Sequence, residues 1–423
     1  MSGPPARRCH PRPHPRRPDG LRPTDVVGAF FVCGVAFLLA AAAVGIAQWI
    51  APWPLGHWLA LHLAFVGGVS QLILGASQFF TGAFLATDPP PRFLVRAQIF
   101  TWNAGAILLA ITVPDHADAL IWLAIGLLVG GLVVWGAAIA AMRRRSLQRS
   151  PWATRWYVSG ACFFGLGMIA GSLLARGVGW SHGDLLAAHM ALNLAGWFGV
   201  AILGTLQSFF PSLTQTELRF PRLQAVTFAA WTGGVAALAA GYGWGLEPLA
   251  IAGWLGLCLG ASALLANVAA CLRAAPRPLS LPARIVGAAQ PFLLAGLLLA
   301  TISAIEGGPA NALSGSTRTS VGTLLVSGWI GLTVLGSLAH LLAVVVRVRG
   351  GFAARMPAAR PRLDGFLAAL AMIGVASLAI SQSLGLGGLG RPAVLALLAA
   401  YAILAARIAV LSAQVLLKAR PRL

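Results

Sequence analysis

Five histidines carry most of the chemistry that the apolar part of this chain can offer: His57, His62, His182, His189 and His340. The stretch 189–216, HMALNLAGWFGVAILGTLQSFFPSLTQT, is where such chemistry concentrates, with His189, Asn193 and Gln207 set among apolar and small residues. Polar groups in so apolar a run are costly unless they face protein, cofactor or water. A neutral imidazole held there suits haem iron or copper as a ligand. The competing reading is an imidazole hydrogen-bonded to a neighbouring helix.

The histidines are sorted by an internal repeat. Gly196-Trp197-Phe198-Gly199 with Leu203-Gly204-Thr205-Leu206 recurs 132 residues later as Gly328-Trp329-Ile330-Gly331 with Leu335-Gly336-Ser337-Leu338. A looser copy, Gly67, Leu74-Gly75, Gln78 and Phe80, lies 129 residues earlier, and Trp102 and Gly105 match Trp231 and Gly234 at the same offset. Such a period is too long for a solenoid and suits repeated multi-helix membrane units. All five histidines fall on the three marked stretches. His62 precedes Gly75 by 13 residues and His189 precedes Gly204 by 15, so at about 1.5 Å per residue their heights differ by about 3 Å. Both are expected in the outer third of a bilayer. His57 and His182 are expected at the outer interface. His340 follows its glycine and is expected near the inner end, as a structural residue or a separate metal site. Gly196 and its counterparts admit either a close helix or a flat ligand.

The elements that must position these residues follow from hydropathy. The chain of 423 residues is 58% hydrophobic and 9% charged, with mean hydropathy +0.82. That composition predicts an all-α polytopic membrane protein. Apolar runs predict twelve helices near 25–50, 57–86, 92–113, 117–142, 153–176, 183–211, 221–242, 247–273, 282–305, 318–347, 364–385 and 391–417. They group into three pseudo-symmetric four-helix units, about 25–142, 153–273 and 282–417, with the marked stretches on the second, sixth and tenth spans. Prolines, Pro211 among them, are expected to punctuate the joins.

The net charge of +20 does not point to nucleic acid, because the arginines sit in alternate short loops. The positive-inside rule makes those loops cytoplasmic, with both termini on that side of a bacterial plasma membrane. Residues 1–24 and 418–423 read as polar cytoplasmic tails, the first disordered and basic. Cys9, His10 and His14 in that tail could bind a metal loosely, but a solvated tail near anionic lipid is the plainer reading. His116 reads as a solvated loop residue. The cysteines suggest neither disulfides nor a thiolate cluster. Uncharged polar residues such as Gln78, Asn103, Asn267, Gln290 and Gln382 suit either interhelical hydrogen bonds or a wet interior. Acids inside the spans are nearly absent, which argues against a proton pump.

Twelve helices in three arcs, with histidines on spans 2, 6 and 10, resemble subunit I of the haem–copper oxidases. His189-x-x-x-Asn193-x-x-Gly196-Trp197, followed by Gly204-Thr205-Leu206 and Phe210-Pro211, is similar to a motif of small oxidase-like bacterial membrane proteins. These include NnrS-type haem and copper proteins and segments joined to copper nitrite reductases. The resemblance implies haem, with copper as second candidate, and electron transfer or a nitrogen-oxide response. It implies that His62, with His57 second, matches a haem ligand and His189 a copper ligand. It also implies a redox partner protein or a copper nitrite reductase. The chain lacks the oxidases' His-His pair after span 6, their His-x-His on span 10 and the tyrosine after the span-6 histidine. An oxygen-reducing binuclear centre is therefore not expected. Two other readings remain: a small-solute transporter, expected to have two six-helix halves, and a cofactor-free assembly subunit with structural histidines.

Overall fold

A computed structural model describes residues 22–114, 118–147, 151–350 and 360–417. The tail residues Cys9, His10 and His14, the loop residue His116, and 418–423 lie outside the described residues. Among the described residues there are twelve helices long and apolar enough to cross a membrane, and no strand. They are spans 1 (Pro23–Ile50), 2 (Gly56–Phe84), 3 (Arg92–Thr112), 4 (Ala119–Arg145), 5 (Thr154–Ala175) and 6 (Leu185–Thr214). Spans 7 (Leu223–Gly243), 8 (Glu247–Ala274), 9 (Leu281–Gly307), 10 (Gly315–Arg349), 11 (Pro361–Leu384) and 12 (Gly387–Leu416) follow. Helices are the expected solution, because backbone polar groups in hydrocarbon must be satisfied within the segment.

Proline placement needs one correction. Pro211 does not end span 6; it sits inside the helix, which runs on to Thr214. Its missing N–H costs one bond near the end of the span. The exit is closed instead by Thr216 N donating to the Pro211 carbonyl at 2.8 Å, with Gln215 in the left-handed region. Pro392 likewise lies within the first turns of span 12.

The threefold repeat is a packing device. In each unit the first helix lays large side chains against two glycines of the second, eight residues apart. Phe37 and Phe30 meet Gly67 and Gly75; Phe163 and Trp156 meet Gly196 and Gly204; Phe292 and Val286 meet Gly328 and Gly336. A Cβ on Gly196 would lie 2.7 Å from Phe163 Cβ, and one on Gly328 2.8 Å from Phe292 Cγ. The space at Gly196 is therefore taken by span 5, and the reading of that residue as a cofactor contact gives way to helix packing.

Each second helix also contains a π-helical stretch at the same place: Leu63–Val69 in span 2, Ala191–Gly199 in span 6 and Thr323–Gly331 in span 10. Wider turns disturb the regular ladder, and a carbonyl left over in hydrocarbon needs a donor. Aromatic side chains supply it at equivalent positions. Trp102 Nε1 donates to the Val66 carbonyl at 3.0 Å, Trp231 Nε1 to Ala195 at 2.9 Å, and the Tyr401 hydroxyl to Ser327. The third donor comes from span 12 rather than span 11, which is where the symmetry breaks.

The third and fourth helices of each unit form hairpins on the outside. The first helix of each unit packs on the second and fourth of the unit before it, so span 1 closes the ring against spans 10 and 12. Spans 2 and 6 meet at the centre through Phe65 and Phe198, with ring centroids 4.8 Å apart, and spans 6 and 10 through Phe209 and His340, 5.5 Å apart. Phe93, Phe100, Ile107 and Ile111 of span 3 remain exposed, as a lipid-facing stripe should.

Ring closure rests on few polar contacts. Arg349, at the end of span 10, pairs with Asp25 of span 1 at 3.1 Å and donates to the carbonyls of Thr24 (3.0 Å) and Val415 (3.2 Å). Arg349→Ala removes all three links and leaves Asp25, its side chain only 27% exposed, with the bond from Arg22 N at 3.1 Å. A loss of about 1–3 kcal/mol is expected, less than for a fully buried pair because water still reaches the carboxylate. Thermal unfolding of the purified variant should show it, and Asp25→Asn should cost less.

Candidate functional site

Span 2 begins with Gly56, and its first turns carry Trp58 and His62 on one face, four residues apart. The two rings stack at 4.1 Å between centroids with 25° between planes. His62 Nδ1 donates to the Trp58 carbonyl at 2.8 Å. A carbonyl can only accept, so the proton is on Nδ1 and the lone pair is on Nε2.

Span 6 starts at Asp184, whose carboxylate accepts from Ala187 N at 2.9 Å. That cap fixes the turn from which His189 projects. His189 Nδ1 donates to the Gly167 carbonyl of span 5 at 2.9 Å. The same logic places its lone pair on Nε2. Asn193, one turn further, donates to the His189 carbonyl at 2.7 Å and lies 3.2 Å from Nδ1. Gly167 and Gly171 make room for these two side chains: a Cβ on Gly171 would come within 2.7 Å of His189 Cε1.

The spans that carry the two imidazoles touch through Phe65 and Phe198, 4.8 Å between ring centroids. Both imidazoles are partly buried. Orienting a histidine by giving its Nδ1–H to a backbone carbonyl is the arrangement that leaves Nε2 as a metal donor. Here both rings have it.

Further along the two spans, towards the arginine-rich face, four aromatic rings pack together. Phe164 stacks on Trp197 at 4.9 Å, Trp102 lies 5.8 Å from Phe164, and Trp135 meets Trp197 edge-on at 6.2 Å. Trp197 Nε1 donates to Ser70 and Trp135 Nε1 to Ser77, each at 2.9 Å. The indoles of Trp102, Trp135 and Trp197 are all buried.

The other candidates are not brought to this pair. His57 is exposed at the outer end of span 2, and His182 is exposed before span 6, edge-on to Trp180. His340 lies beyond the π-helical stretch of span 10, against Phe209. Among the described residues no group of three or more His, Cys, Asp or Glu side chains converges as a metal cage. Cys33, Cys162, Cys258 and Cys271 are free thiols.

Several of the uncharged polar residues resolve into interhelical bonds, whereas Gln71 and Gln207 are buried with neither amide atom bonded and Asn103 bonds its own helix at Ile99. Gln78 donates to Gln98 at 3.0 Å, Gln290 to Thr333 at 3.1 Å, and Thr323 to Gln382 at 2.8 Å, while Asn267 brackets the backbone of Phe220. On the pseudo-threefold axis, spans 2, 6 and 10 enclose a cavity of about 80 Å³. Matching positions line it from each helix: Ile73, Ile202 and Val334, then Ala76, Thr205 and Ser337. Hydropathy could not single out this cavity, because its wall is as apolar as any helix contact.

No family model matches this chain, and no curated protein matches it.

Proposed function

We propose that the chain is a metal-binding redox protein of the plasma membrane, with a site between spans 2 and 6 built on His62 and His189. The observation that carries the reading is the paired anchoring of both Nδ1 atoms on backbone carbonyls, which turns two Nε2 lone pairs into donors. The donors fit copper and the axial positions of haem iron alike. Bound there, the metal would supply one-electron chemistry and a coordination position for a diatomic nitrogen oxide. The chain's own part is to hold the two rings and to fix their protonation through Trp58 and Gly167.

The arrangement in three units supports an oxidase-like scaffold over a transporter of two six-helix halves. The two-imidazole donor set, without the oxidases' His-His pair and His-x-His in the sequence, supports electron transfer or nitrogen-oxide binding over oxygen reduction. The arginine-rich loops are taken as cytoplasmic, which puts the histidine pair near the outer face, within reach of an external redox partner such as a copper nitrite reductase.

The test is an optical spectrum with metal analysis of the purified full chain. A Soret band with about one iron per chain supports the haem form of the reading. About one copper per chain without that band supports the copper form. Protein that contains neither metal, and takes up neither after reconstitution, overturns the reading.

A further inference from the structure

Pseudosymmetry allows the interface that carries the histidines to be compared with the next one round the ring. The first interface lies between spans 2 and 6; the second, between spans 6 and 10, holds a pore. At the repeat offsets, Ala191 stands where the first interface has His62, and Val321 where it has His189. Leu293 replaces Phe164, and Leu264 replaces Trp135. Trp231 and Trp329 are retained, with ring centroids 6.0 Å apart. The second interface has thus lost both imidazoles and two of its four large rings.

What remains is a void of about 130 Å³. Met190, Leu194, Leu238, Leu257, Leu297 and Leu325 are among the side chains that wall it. The polar tips in the wall are already engaged. Tyr242 donates to the Pro309 carbonyl at 2.8 Å and accepts from Trp254 Nε1 at 3.1 Å. Trp231 bonds Ala195 at 2.9 Å and Trp329 bonds Gln290 at 3.2 Å. An occupant therefore meets no free hydrogen-bonding group inside. An apolar void of about 150 Å³ accepts a benzene-sized guest, so this one has room for a ring or a short run of methylenes.

One wall residue differs from the rest. Arg318, in the first turn of span 10, is the exposed residue of the lining. Among the described residues no side chain pairs with its guanidinium. Its counterparts in the other two units are His57 and Leu186, so the fixed cation is specific to this pore.

We propose that the pore of the second interface binds an anionic amphiphile, with a short run of its methylenes in the void and its head group on Arg318. Carboxylate and phosphate both suit a guanidinium. The ligand is then a fatty acid or the acyl chain of an acidic phospholipid.

The purified full chain in detergent should bind 9,10-dibromostearate saturably, read as quenching of tryptophan fluorescence, since Trp231, Trp254 and Trp329 face the void. Arg318→Gln should weaken dibromostearate at least tenfold and leave the uncharged brominated alcohol unchanged. Leu297→Trp, which fills the void, should remove both. Competition distinguishes the sources: displacement by stearate alone indicates a free acid, and displacement by phosphatidic acid in nanodiscs indicates a phospholipid. A photoactivatable fatty acid on the unsubstituted chain gives a second readout, with labelling expected within 187–195 and 321–330. No saturable quenching, quenching indifferent to both variants, or labelling confined to the lipid-facing stripe of span 3 would each overturn the proposal.

Discussion

Gly204→Leu is expected to leave no monodisperse protein in size-exclusion chromatography. A Cβ at Gly204 would fall on Trp156 Cγ, and the indole is only 1% exposed. Overpacking of a core costs about 1–3 kcal/mol when neighbours can shift. Here the neighbour is held by Phe228 edge-on at 5.0 Å, and four added carbons have nowhere to go. Gly204→Ala should give partial yield, because one methyl still demands that the indole move. Gly126→Leu on span 4 is the control. A Cβ there meets nothing within 4 Å, so normal yield is expected. Equal yields from Gly204→Leu and Gly126→Leu would mean that the glycine–aromatic contacts do not hold the units together.

That contrast shows which parts of the fold were legible beforehand. Apolar runs of about twenty residues suffice to count spans, because a bilayer sets their length. The glycine pairs were legible as a repeat, but not as receivers of Phe37, Phe163 and Phe292, since residue spacing does not say what fills a gap. The π-helical stretches were hidden for a different reason. Nothing in LAFVGGV or TLLVSGWIG separates a π-turn from an α-turn. What permits them is a donor far along the chain: Trp102 is 36 residues from Val66, and Trp231 is 36 from Ala195. Pairing the shared 129-residue offset of Trp102 and Trp231 with the glycine repeat would have flagged the first two, and Tyr401 would still have escaped. For the candidate site, depth along the repeat gave His62 and His189 one expected level, and the spans that carry them touch through Phe65 and Phe198. The Gly167 carbonyl that orients His189 belongs to another helix, so it could not be read from the span-6 motif.

On the proposed metal-binding reading, His189→Ala and His62→Ala should each reduce bound metal to background, measured as metal per chain and as the associated absorbance. The expected effect is loss rather than weakening. Removing one of two imidazoles leaves a single nitrogen donor in an apolar setting, and no carboxylate or thiol cluster stands by to replace it among the described residues. His182→Ala should bind as the unsubstituted chain does, since that ring is exposed and outside the pair. The orientation argument gives a finer variant. Gly171→Ala puts a methyl 2.7 Å from His189 Cε1, so the ring must rotate or withdraw while both ligands remain present. Metal should then stay bound in part, with a shifted spectrum, because Nε2 no longer points along its former direction. A purely structural His189 would respond in another way: His189→Ala would lower stability and leave the metal content unchanged. Loss of metal in both histidine variants, with a displaced band in Gly171→Ala, is the pattern that only a ligand pair held through its Nδ1 atoms produces.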